Sequence, residues 1–71
     1  MDMQLVNSSN IRAVGYDALT NIMRVEFNSG SVYDYHQVPE EIYRQLLISP
    51  SFGKFFAVHV KNRFGFNIIK K

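Results

Sequence analysis

Five cations, Lys54, Lys61, Arg63, Lys70 and Lys71, fall within residues 54–71, and that stretch holds no Asp or Glu. Lys and Arg that are not neutralised by neighbouring acids bind phosphate, so the chemistry this spacing offers is attraction of a polyanion. The rest of the chain is the reverse. Arg12, Arg24 and Arg44 stand against Asp2, Asp17, Glu26, Asp34, Glu40 and Glu41, which leaves residues 1–53 at −3 and residues 54–71 at +5. A solvated basic tail would read the same way. A second candidate feature is the Tyr33-Asp34-Tyr35 run, whose rings are two residues apart and share one face of a pleated strand. Aromatic rings on a sheet can stack bases.

Catalytic chemistry is harder to find. His36 and His59 are far apart, there is no cysteine, and no His-x-x-x-His spacing offers a metal cluster. The serines sit where turns and helix caps explain them, and no glycine-rich phosphate loop is present. The residues thus assign no catalytic group, no metal and no cofactor, and they point away from an enzyme.

These residues must be positioned by a small fold. Seventy-one residues allow one domain with one modest core, and 46% hydrophobic content is enough to pack it. Without cysteine there is no disulfide, which is compatible with a reducing compartment. No run reaches the roughly 20 apolar residues of a membrane span, and the start lacks the basic and apolar regions of a leader. The expectation is a soluble cytoplasmic protein with no membrane contact.

Residues 1–9 are polar and irregular and read as a flexible lead-in to a single domain over residues 10–71. Ile11 to Tyr16 predicts a first strand. Met23, Val25 and Phe27 alternate with Arg24 and Glu26 as a half-buried second strand, and the Tyr-Asp-Tyr run is the third. Register follows from keeping one apolar face, since a slip of one residue exchanges the two faces. A three-residue loop, Asn28-Ser29-Gly30, with Gly30 left-handed, sets Val25 opposite Tyr33, Arg24 opposite Asp34 and Met23 opposite Tyr35. A four-residue loop, Ala18 to Asn21, sets Tyr16 opposite Met23 and Val14 opposite Val25. The other face then carries Ala13, Gly15, Arg24, Glu26, Val32, Asp34 and His36, a mixture suited to solvent.

Two helices are available to cover the apolar face. The first begins at Pro39, takes Glu40 and Glu41 near its positive end, and shows Ile42, Tyr43, Leu46 and Leu47 as a stripe. Ser49-Pro50-Ser51 stops it, with Ser51 placed to cap the next. The second runs from Ser51 or Phe52 to Arg63, burying Phe52, Phe55, Phe56, His59 and Val60 and leaving Lys54, Val58 and Lys61 off that face. Gly65 ends it, and residues 66–69 have the pattern of a short closing strand. The fold class is α+β: a three-stranded antiparallel meander, then two helices on one face, with room for a C-terminal strand. In this register Tyr33 and Tyr35 lie beneath the helices, as core rather than platform.

The order of short motifs along the chain resembles the KTSC domain family, named for its occurrence at the C-terminus of some lysyl-tRNA synthetases. The resemblance is carried by Ala13-Val14-Gly15-Tyr16-Asp17, Val25-x-Phe27-x-x-Gly30, Tyr33-Asp34-Tyr35, Val38-Pro39 with Tyr43 and Leu46, and Ser51-Phe52-Gly53-Lys54-Phe55-Phe56. It covers nearly the whole chain from about residue 10. Ala57 departs from the asparagine the family often has there, and Phe64 from the usual tyrosine. The resemblance implies a free-standing bacterial or phage-type domain of unassigned function, with RNA binding suggested by the synthetase context. Two functions follow as expectations. One is weak, low-specificity RNA or other nucleic-acid binding through a basic C-terminal helix surface formed by Lys54, Lys61, Arg63, Lys70 and Lys71. The other is a protein-interaction or dimerisation module that binds no nucleic acid and uses exposed Val58, the mixed face or an edge strand.

Overall fold

The computed structural model describes residues 1–71 as one five-stranded antiparallel sheet and two helices. The strands are β1 (Met3–Leu5), β2 (Ile11–Asp17), β3 (Ile22–Phe27), β4 (Val32–Tyr35) and β5 (Phe66–Lys70), in spatial order β1-β2-β3-β4-β5. Helices α1 (Glu40–Ile48) and α2 (Phe52–His59) connect β4 to β5. No helix is long and apolar enough to cross a membrane.

Both expected hairpin registers are present. Val25 pairs with Tyr33, Arg24 with Asp34 and Met23 with Tyr35, while Tyr16 pairs with Met23 and Val14 with Val25. In the β3–β4 turn the Phe27 N–H donates to the Ser31 carbonyl over 2.8 Å, and Gly30 takes φ of +98°, a conformation that excludes most side chains at little cost to glycine. Val14, Met23, Val25 and Tyr35 from the sheet close over Val38, Leu46, Phe52, Phe56 and Val60 to make the core. Tyr16 fastens the two ends of this layer. Its ring stacks on Tyr43 at 5.2 Å, and its hydroxyl donates to the Val38 carbonyl and accepts from the Asn21 amide.

Four features depart from the expectations. With β5 formed as the pattern at residues 66–69 predicts, the sheet has five strands rather than four, because Met3–Leu5, read as lead-in, adds an edge strand beside β2. Three exposed residues carry no periodicity that a sequence could display, so β1 exists only because the β2 edge offers it unpaired N–H and C=O groups. The face opposite the helices is therefore partly covered. A Cβ added at Gly15 would sit 2.7 Å from the Met3 sulfur and 2.9 Å from the Asp2 carbonyl oxygen, so glycine is what lets the N-terminal segment lie flat there. Ala13, Gly15 and Asp34 are buried on this face rather than solvated.

The third departure is a bulge. Ile11 pairs with Phe27 and Ala13 with Glu26, which leaves Arg12 as an extra residue and turns Ile11 to the helix side, where it joins the core. The fourth concerns the helices. Pro39 is the N-cap of α1 rather than its first residue, since its ψ stays extended at 143°. Ser51 is the N-cap of α2 but makes no side-chain cap bond; its carbonyl accepts the Phe55 N–H instead. Helix α2 stops at His59 rather than Arg63. The Val60 N–H makes the last ordinary helical bond to the Phe56 carbonyl, the Lys61 N–H turns back to that same carbonyl five residues away, and Asn62 takes φ of +70°, which ends the helical path.

Candidate nucleic-acid interface

Every arginine in residues 1–53 is matched to an acid by the fold. Across β3 and β4, Arg24 holds Asp34 through two parallel bonds, Nε to Oδ1 at 2.7 Å and Nη2 to Oδ2 at 2.9 Å. The Asp34 side chain is only 9% exposed, and its bonds to Arg24 raise the guanidinium pKa above its usual value. Arg12 pairs with Glu26 at 2.9 Å, and Arg44 with Glu40 one helical turn away at 3.3 Å. Lys54, Lys61, Arg63, Lys70 and Lys71 are all exposed, and none has an acidic partner.

These five cations are not a helix surface, which corrects the expected location. Only Lys54 lies on α2, because the helix ends before Lys61. Lys54 is in the first turn of α2, and Lys61 lies in the turn beyond its end. Arg63 lies in the turn that leads into β5, Lys70 ends β5 opposite Val32, and Lys71 follows it. Arg63, Lys70 and Lys71 flank the two ends of β5, while Lys54 and Lys61 lie at the start of α2 and just past its end.

Strand β5 adds an aromatic residue that the sequence reading passed over. Phe66 pairs with Tyr35 and Ile68 with Tyr33, so both extend the helix-facing side of the sheet past the reach of the helices. The Phe66 ring stacks on Tyr33 with centroids 5.2 Å apart and planes at 9°, and it remains 50% exposed. Tyr35 is 3% exposed and meets Phe56 edge to face, and its pKa is raised because burial disfavours the phenolate. Tyr33 is half-buried between Phe27 and Phe66. The two tyrosines thus support the edge from within, and the accessible ring is that of Phe66. An alternation of aromatic and apolar residues at 66 and 68 signalled a strand, but only pairing with β4 shows that Phe66 caps the tyrosine stack.

Beside this edge is a cleft of about 470 Å³ between the β3–β4 hairpin and α2. Its floor includes Phe27, Tyr33 and Phe56, and its rim includes Asn10, Asn28 and Lys61. No acidic residue lines it. A shallower depression shares Ser9, Asn10 and Gly53 with the cleft and carries Lys54, so the two lysines flank the Ser9–Asn10 segment. His59 contributes nothing here; its ring lies against Phe55 at 4.3 Å.

A family model described as the KTSC domain matches residues 7–64. A protein of Tsukamurella paurometabola is 44% identical over 62 residues, covering 87% of this chain and 92% of that protein. A lysine–tRNA ligase of Nostoc punctiforme is 38% identical over 58 residues, which is 82% of this chain but 10% of the ligase. Among solved structures, a KTSC domain protein from Yersinia pestis superposes with a TM-score of 0.93 at 31% identity, covering 96% of each chain. The α+β fold with a C-terminal strand, the motif order and the matched span agree: this chain belongs to the KTSC domain family.

Proposed function

We propose that this domain binds single-stranded RNA weakly and with little sequence preference, and that it works by binding rather than by catalysis. One observation carries the reading: the fold pairs all three arginines of residues 1–53 with acids and leaves all five cations of residues 54–71 unpaired and exposed. Unpaired cations and an exposed aromatic ring are the two components of sequence-tolerant single-strand binding, namely phosphate neutralisation and base stacking. A matching segment within lysine–tRNA ligases, enzymes whose name places them on tRNA, favours RNA as the polyanion.

The test is fluorescence anisotropy of a labelled single-stranded RNA at several salt concentrations. Five phosphate contacts give a log–log slope of affinity against salt of roughly −3.5. The double variant Lys54→Glu, Lys61→Glu should bind at least about tenfold more weakly with a shallower slope. Absence of binding at low salt, or unchanged affinity in the double variant, overturns the reading.

A second reading rests on a different observation. The outer edge of β5 has no strand beside it, and Phe66, Ile68 and Ile69 are exposed along it. A second copy or another chain would pair there by strand addition. Light scattering separates the two: a monomer at all concentrations with salt-dependent RNA binding favours the first, and a dimer lost on Ile68→Lys favours the second.

A further inference from the structure

We infer that the cleft between α2 and the β3–β4 hairpin receives one unstacked base of the bound RNA, with the adjoining phosphate on Lys61. This rests on the RNA-binding reading and names the part of the ligand that the cleft takes. The cleft's volume of about 470 Å³ is within the range of sites that hold small organic ligands, about 300–1,000 Å³. Its chemistry narrows the choice. Phe27, Tyr33 and Phe56 give an aromatic floor, which suits a flat ring.

The rim offers hydrogen-bonding groups that the fold has not used. The Asn10 side-chain amide has no partner within the protein and can donate and accept, as the edge of a nucleobase requires. Asn28 spends its amide N–H groups on the Ser8 and Ser9 carbonyls, at 3.4 and 2.9 Å, which fixes its orientation and leaves its Oδ1 as an acceptor. The Lys61 ammonium is the only charge in the lining and has no acidic partner. A flat ring with mixed donors and acceptors, joined to an anion, is a nucleotide. A purely aliphatic ligand would leave the amides unanswered, and a cationic one would meet Lys61.

The placement also distinguishes two aromatic sites. Phe66 is exposed at the sheet edge and is not part of the cleft lining. A base stacked there would be read by no amide. The cleft is where preference for one base over another can arise.

The experiment compares a short oligouridylate with an oligomer of the same length and charge whose sugars carry no base, using the full chain and the variant Ala57→Leu. Ala57 is an exposed residue of α2 that lines the cleft, so a larger apolar side chain fills the opening without entering the core. The wild type should bind the base-bearing oligomer roughly tenfold tighter than the abasic one. In Ala57→Leu that difference should fall at least about threefold, the remainder being stacking on Phe66, while the salt slope is unchanged, with circular dichroism confirming that the variant is folded. Equal binding of the two oligomers by the wild type overturns the inference and leaves RNA binding intact. A difference that is undiminished in Ala57→Leu overturns it too, since the base then sits elsewhere. No binding of either oligomer at low salt overturns the RNA reading and this inference with it.

Discussion

Strands β4 and β5 are neighbours in one sheet, yet their side chains do opposite work. In β4, Asp34 is buried and locked to Arg24, and Tyr35 is enclosed by Phe56. In β5 every residue is exposed, its lysine has no partner, and its aromatic ring is half open. A charge already satisfied within the fold has little left to offer a partner, whereas a solvated one can exchange its counterions for phosphates. The inner strands hold the domain together, and the outer strand is left exposed to solvent.

The largest effect should come from breaking the inner side. Leu46 of α1 is fully buried against the sheet, and Leu46→Ala should lower unfolding free energy by about 2–5 kcal/mol, measured by urea denaturation. Ile68→Ala on β5 should change it by no more than about 0.5 kcal/mol. Comparable losses would erase the distinction between the strands. Next comes Arg24→Ala, which leaves the buried Asp34 carboxylate without its partner and should cost about 1–3 kcal/mol. Lys70→Ala should leave stability unchanged and weaken RNA binding instead, and the same urea titration with the anisotropy assay decides both.

The smallest effect is a pH dependence. Burial raises the Tyr35 pKa above its ordinary 10.0, and burial does the same for Tyr43. A group whose pKa is higher folded than unfolded stabilises the fold below its unfolded pKa, and that contribution is lost as pH rises through the folded value. Melting temperature should therefore hold steady through neutral pH and fall above about pH 10. Tyr35→Phe should flatten that alkaline fall, and a fall of identical depth in the variant would show that the ring is solvated like those at the edge.

Much of the inner sheet was legible in the residues. The demand for one apolar face settled both hairpin registers, and opposite charges at positions 24 and 34 anticipated the ion pair. The five cations were visible as a charge asymmetry. Their arrangement was not. A spacing of seven residues, two helical turns, predicts Lys54 and Lys61 on one helix, but the Lys61 N–H bond to the Phe56 carbonyl five residues back and Asn62 in a left-handed conformation end that helix first. Phe66 was passed over because its importance lies in what it stacks against, and Tyr33 is more than thirty residues away in sequence.

The sequence by itself determined the order of the inner strands and helices, the face that each strand buries, and the sign of the charge at the C-terminus. These are local matters: alternation, turn residues and composition act over the few residues of a hairpin or a helical turn. Tertiary structure alone decided that Met3–Leu5 becomes a strand, that a bulge at Arg12 turns Ile11 inward, and that α2 ends at His59. It also assembled the cleft, whose walls come from residues near 10, 28, 33, 57 and 61. Edges and clefts are made by segments distant along the chain, and their formation depends on surfaces that exist only once the core has closed.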